Sequence, residues 1–188
     1  FCLALVNWTW LAMRFRETLP AEKRGDGNEQ PRPAIFQIKK VANPAVRRTC
    51  LSYLCYMVSF SGIEFTLTFL AVERYLYEPR DITSMFLLIG FTLIFAQGFF
   101  VRRFVGKIGE KNMALQGIFL GFLAFILIAY PSSETWFFFA LFLMSCGVAF
   151  ISPTLTALTS LHSSEKDQGF NLGIFRSSGS IARACGPM

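Results

Sequence analysis

Gln97–Gly117, QGFFVRRFVGKIGEKNMALQG, decides how this chain is read. Two apolar runs meet there across a short turn that carries Gly106, Gly109 and the cations Arg102, Arg103, Lys107 and Lys111, against one acid, Glu110. So much charge has no place in hydrocarbon, so the runs before and after it are expected to return to one face of a bilayer. Lys and Arg concentrate on the cytoplasmic side of membrane proteins, which makes that face the cytoplasmic one in this reading.

Composition points the same way. Hydrophobic residues make up 53% of the chain and charged residues 16%, whereas soluble domains carry about 25% charged. Twenty-two Phe among 188 residues exceed what one soluble core of this size needs. The net charge of +6 sits in loops between apolar runs, as the positive-inside bias predicts. It does not form the basic face of a nucleic-acid module, so no nucleic-acid partner is expected.

Outward from the turn, apolar runs of about twenty residues, enough to cross a ~30 Å core, alternate with polar breaks. Phe1–Met13 ends at Arg14 and Arg16 behind Trp8 and Trp10, as a helix leaving on the cytoplasmic side does. It reads as the end of a membrane helix whose beginning lies outside this chain. Residues 14–45 form the one long polar stretch, read as a cytoplasmic loop. Glu22–Pro33 is expected to be a disordered tether, for it has little apolar surface to bury. Ile35, Ile38, Val41 and Ala42 recur at helical spacing, which fits either a short helix on the membrane surface or a plain connector.

From residue 46 onward the chain reads as a truncated helix bundle. Thr49–Val72 is the first span, with a polar second half that includes Ser61, Gly62 and Glu64. Glu73–Asp81 is an acidic external loop, and Ile82–Val101 returns with Gln97 and Gly98 near its end. Met113–Tyr130 is apolar all round, which suits a helix facing lipid. Pro131–Thr135 is an external loop, and Trp136–Ser160 crosses back with Pro153, which removes a backbone hydrogen bond and is expected to bend the helix. Leu161–Gln168 is internal, and Gly169–Met188 starts a further span carrying Arg176, Gly179, Arg183 and Gly186.

Catalytic chemistry is hard to assemble from these residues. The cysteines at 2, 50, 55, 146 and 185 form no CxxC pair, and His162 is the only histidine. Apolar packing is the expected role of the thiols, and neither a metal nor a cofactor is expected. With no P-loop, the chain is not expected to hydrolyse ATP or to be an enzyme. What remains is the carboxylate of Glu64, the guanidinium groups of Arg176 and Arg183, and the bend at Pro153. A carboxylate within a span is a functional hypothesis in its own right, because charge there is costly. The plainer reading is a structural ion pair between helices. Glu64 lies sixteen residues beyond Arg48, or ~24 Å, and Arg183 fourteen beyond Gly169, or ~21 Å. If both helices leave the same side, the two charges reach similar depth. Arg176, at ~10 Å, is shallower.

Four stretches carry a family resemblance. FRETLP (Phe15–Pro20) resembles the end of the sixth helix of the major facilitator superfamily. GFFVRRFVGKIGEK (Gly98–Lys111) resembles the second-half copy of that superfamily's loop motif, without the aspartate usual in the first-half copy. QGFNLGIFRSSGSIARACGP (Gln168–Pro187) is similar to the eleventh helix of its tetracycline-resistance-like drug/proton antiporter branch. FSGIEFTLTFL (Phe60–Leu70) adds a likeness to an animal, organic-anion-carrying part of that branch.

The resemblance implies an all-α, polytopic membrane helix bundle of major-facilitator type, of which this chain is a C-terminal-half fragment. Its helices would be the end of the sixth, the seventh to tenth and the start of the eleventh, with the missing N-terminal half as partner. The implied activity is secondary transport of small organic solutes by alternating access of two halves around a midplane site. Proton antiport is a further option. Glu64, Arg183, Arg176, Gln97 and Pro153 are the expected substrate and proton pathway, and Gly98, Arg102, Arg103, Gly106, Gly109 and Lys111 the conformational-gating loop. The competing class is a polytopic receptor or scaffold without transport. In every reading the chain lies in the lipid bilayer.

Overall fold

The structure, a computed structural model, describes residues 2–14, 38–39, 41–130 and 133–188. The described elements are helical: α1 (Cys2–Arg14), α2 (Pro44–Tyr75), α3 (Pro79–Phe95), a π-helical segment (Ala96–Val101), α4 (Arg102–Ile108), α5 (Glu110–Ala129), α6 (Glu134–Leu161) and α7 (Gln168–Cys185). Among the described residues four stretches are long and apolar enough to cross a membrane: α2, the continuous run Pro79–Ile108, α5 and α6. The tether expected at Glu22–Pro33 lies outside the described residues. Helix α1 stands as a unit of its own; within it, the Arg14 guanidinium lies 5.2 Å from the Trp10 ring centre.

The basic turn within Gln97–Gly117 is much shorter than expected. Helical backbone continues from Pro79 through the π-helical segment to Ile108, so Arg102, Arg103 and Lys107 ride on a helix rather than a loop. The chain breaks at one residue, Gly109, with φ 82° and ψ 150°, a conformation that residues with a Cβ rarely adopt. Lys111 already belongs to the first turn of α5.

The loop expected at Glu73–Asp81 shrinks for similar local reasons. Helix α2 runs on to Tyr75, where Leu76 adopts a left-handed φ of 55° and its N–H bonds the Val72 carbonyl. Helix α3 restarts at Pro79, well suited to a first helical turn, with Glu78 and Asp81 forming a reciprocal capping box. At its other end α2 also overruns the expected span, because Asn43 caps it by accepting from Ala45 N–H at 2.9 Å and Pro44 opens the helix.

Two buried clusters fix the polarity of the helices. Val46 and Cys50 at the start of α2, Ala114 at the start of α5, Ile151 and Leu155 late in α6, and Ile174 and Phe175 early in α7 pack together. Ile38 and Val41 are buried in the same cluster, so these two residues dock on the bundle rather than forming a separate surface element. Asn43 Nδ2 donates to the His162 carbonyl at 2.7 Å and ties the same end. The opposite cluster joins Leu67, Ala71, Tyr77, Met85, Ile128 and Phe137. There Arg74 donates to the carbonyls of Ile128 at 2.9 Å and Ala129 at 3.3 Å, and so caps the C-terminus of α5.

Helix α6 is the hub, touching α2, α3, α5 and α7, and its contact with α5 is the largest in the bundle. Met113, Gly117, Gly121, Ala124 and Ile128 form the buried stripe of α5, while Leu115, Phe119 and Phe122 face outward. The helix read as lipid-facing thus has one packed side. Helix α6 runs unbroken through Pro153, where Thr154 Oγ1 donates to the carbonyls of Phe150 and Ile151, and Thr156 to that of Ser152 at 2.8 Å.

Candidate functional site

The seam between α2 and α7 brings together the residues with most chemistry. Small side chains let the two backbones approach: a Cβ on Gly186 would lie 2.7 Å from Ser61 Cβ and 2.9 Å from the Val58 carbonyl oxygen. One on Gly62 would lie 3.2 Å from the Gly186 carbonyl oxygen. Nearer the other end of the seam, Tyr53 stacks on Phe175 with ring centres 4.0 Å apart, and the edge of its ring covers Gly179. Ser61 Oγ donates across the seam to the Arg183 carbonyl at 3.1 Å. Such small-residue contacts are how membrane helices gain packing without a hydrophobic driving force.

Arg183 and Glu64 meet at this seam. Arg183 Nη2 donates to Glu64 Oε2 at 3.3 Å, and the two side chains are 58% and 47% exposed on this chain. The pair is clamped at the backbone by the Ser61 bond and the glycine contacts, yet its charged ends are open. In a pair so placed the guanidinium can exchange its carboxylate for an incoming anion, and the carboxylate can exchange its guanidinium for a proton. A fully buried pair could do neither without first breaking the packing.

The remaining residues named from the sequence are scattered. Arg176 lies two helical turns below Arg183 on α7 and is exposed, with its carbonyl accepting from Ser180 Oγ at 3.3 Å. Gln97 and Gly98 sit exposed in the π-helical segment. Pro153 lies in α6, which contacts both α2 and α7. In the gating motif, a Cβ added at Gly98 or Gly106 would meet nothing within 4 Å, so neither is a packing glycine, and Gly109 alone of the three has a positive φ. Sequence reasoning missed Tyr53, whose ring orders the lower part of the seam, and missed the π-helical segment. An aromatic one helical repeat below a polar cluster was the available signal for the first; nothing in the residue pattern pointed to the second.

Comparison with known proteins sets this geometry in context. The sequence model of the Major Facilitator Superfamily matches residues 1–187. The chain is 32% identical to major facilitator superfamily domain-containing protein 10 of Homo sapiens, over 92% of this chain and 42% of that protein. It is 35% identical to the protein of the same name from Mus musculus, over 86% of this chain and 34% of that one. Its fold matches the crystal structure of the human organic anion transporter MFSD10 (TETRAN) with a TM-score of 0.87 and 29% identity, covering 99% of this chain and 48% of that one. The chain therefore spans less than half the length of each of these proteins.

Proposed function

The chain belongs to the Major Facilitator Superfamily, and on that footing we propose that it forms the second half of a secondary transporter for small organic solutes, organic anions foremost. In this reading residues 46–188 rock against a first half, with residues 14–45 as the cytoplasmic link. Arg183 offers the positive charge that an anionic solute seeks, and Glu64 competes for it. Protonation of Glu64 frees Arg183 for cargo, and loss of that proton with release of cargo returns Arg183 to Glu64, which couples solute movement to that of a proton. Arg102, Arg103, Gly106, Gly109 and Lys111 belong to the gate at the cytoplasmic end, with Gly98 at the start of its helix.

The observation that carries this reading is the open Glu64–Arg183 pair, held across two helices at a small-residue seam. An organic-anion cargo also agrees with the likeness in fold to a human organic anion transporter. Family members of this type are carriers, and nothing in the α2/α7 seam calls for a catalytic reading.

The test is uptake of a panel of organic anions by the full-length protein in proteoliposomes under an imposed pH gradient. Glu64→Gln keeps the shape and hydrogen bonding of the side chain but cannot change charge. It is expected to retain solute binding and to lose the gradient-driven component of uptake, tenfold or more. Arg183→Ala is expected to weaken anions more than neutral solutes. Gradient dependence at the wild-type level in Glu64→Gln would remove the coupling role, and absence of any uptake by the wild type would favour a receptor or scaffold.

A further inference from the structure

A groove of about 500 Å³ lies between α6 and the run of α3 with the π-helical segment, with Leu120 of α5 at its side. Neither helix of the Glu64–Arg183 pair contributes to it. Phe91, Phe95, Phe100, Leu120, Phe142 and Phe150 supply most of its wall, and the lining is almost wholly apolar. Phe95 and Phe100 are five residues apart, a spacing that an α-helix would splay. The π-helical segment Ala96–Val101, whose hydrogen bonds span five residues, brings both to the groove.

The same face continues into charge. Phe100, Arg103, Phe104 and Lys107 stand at i, i+3, i+4 and i+7, one side of the helix that leads to Gly109. Phe104 stacks on Phe100 with ring centres 5.8 Å apart, extending the apolar wall toward the cations. The Arg103 guanidinium lies 5.9 Å from the Phe99 ring centre. Among the described residues no carboxylate reaches Arg102, Arg103, Lys107 or Lys111 within ion-pair distance, although Glu110 is adjacent in sequence.

We propose that this groove holds an acyl chain of an anionic phospholipid, from the leaflet at the Gly109 end, with its phosphate against Arg103 and Lys107. The groove is open on this chain, and lipid is the natural occupant of an open apolar cleft in a multi-pass membrane protein. At roughly 30 Å³ per water-sized unit, its volume takes on the order of fifteen methylenes, the scale of one acyl chain. Unpaired cations at the membrane-edge end of an apolar cleft select for anionic head groups. A zwitterionic lipid gains less there, and a soluble phosphate gains nothing from the phenylalanines. Arg103 is shared with the proposed gate, but lipid retention is read without transport, so the site survives or fails on its own.

Native mass spectrometry of the full-length protein, titrated with phosphatidylglycerol or phosphatidylcholine in mild detergent, tests the assignment. One phosphatidylglycerol is expected to be retained with at least a tenfold preference, which shrinks as salt is raised. Arg103→Gln with Lys107→Gln is expected to weaken retention about thirtyfold, near fivefold per cation. The conservative pair Arg103→Lys with Lys107→Arg is expected to keep it. Cys146→Phe, which fills the floor and leaves the charges alone, is expected to weaken both lipids. Equal retention of the two wild-type lipids overturns the proposal whatever the variants do. So does competition by glycerol phosphate as strong as that by phosphatidylglycerol, which would mark a free-anion site. A protein that runs as a dimer until Cys146→Phe separates it would assign the groove to a second copy instead.

Discussion

Two seams in this bundle are built on glycine, and they differ in what else they carry. Between α5 and α6, a Cβ on Gly117 would lie 2.9 Å from the Gly147 carbonyl oxygen and 2.7 Å from Ile151 Cγ1. A Cβ on Gly147 would lie 2.8 Å from the Gly117 carbonyl oxygen. Backbone meets backbone there, and the neighbours are Met113, Ala114, Ala124 and Ile151, all buried. Between α2 and α7 the glycines bring backbones equally close, but Ser61, Glu64 and Arg183 line the same seam and its charged end is open. Close packing alone makes the first seam a permanent joint. In the second, close packing is a clamp that presents a charge pair.

The comparison breaks most visibly at the first seam. Gly147→Leu pushes four carbons into the Gly117 and Gly121 backbone, where no side chain can rotate away. Overpacking a close-packed interior costs about 1–3 kcal/mol and sometimes more, and a backbone collision belongs at the upper end. The expected outcome is loss of a monodisperse peak in size-exclusion chromatography of the detergent-solubilised full-length protein. A variant that purifies and melts like the wild type would show that α5 can slide on α6.

Gly179→Ala tests the second seam with a smaller effect. Its new methyl would sit 2.5 Å from Tyr53 Cε1, a side chain rather than backbone. Tyr53 is partly exposed and can swing, at the loss of its stack on Phe175. About 1 kcal/mol is expected, since an aromatic pair contributes roughly 0.5–1.5 kcal/mol beyond its area. In a Tyr53→Leu background, where the stack is already gone, Gly179→Ala should cost little further. A loss as large as that of Gly147→Leu in either background would erase the distinction between joint and clamp.

Much of this was legible in the residues, and the parts that were not have physical causes. Span number and alternation followed from run length and cation placement, because a bilayer leaves few ways to arrange apolar runs. The meeting of Glu64 with Arg183 followed from counting rise along two helices that start at one face. Helix ends were misread at the Arg102 turn and at Glu73–Asp81, where charge suggested loops. Charged residues are fully compatible with helix once it passes the hydrocarbon, and Gly109, Leu76 and Pro79, not the charges, set the breaks. The π-helical segment was illegible, because Ala96–Val101 differs from α-helix by a hydrogen-bond register and not by residue type.

The smallest expected effect is the most telling one for the clamp. If the pair is there to be exchanged, it should contribute little to stability. Its geometry agrees: 3.3 Å between Nη2 and Oε2, with both side chains about half exposed. Exposed ion pairs contribute about 0–1 kcal/mol, because water and salt compete for both partners. A double-mutant cycle of Glu64→Gln and Arg183→Gln isolates the coupling from whatever each change does alone. Melting of the four proteins in one detergent, at low and high salt, should give a coupling below about 1 kcal/mol that salt reduces further. The Ser61 bond to the Arg183 carbonyl uses backbone and survives both substitutions, so the seam itself should stay closed. A coupling of several kcal/mol, insensitive to salt, would mean that water is excluded and that the pair locks α2 to α7. The two seams would then be one kind of joint, and Glu64 could not release Arg183 at a rate that serves transport.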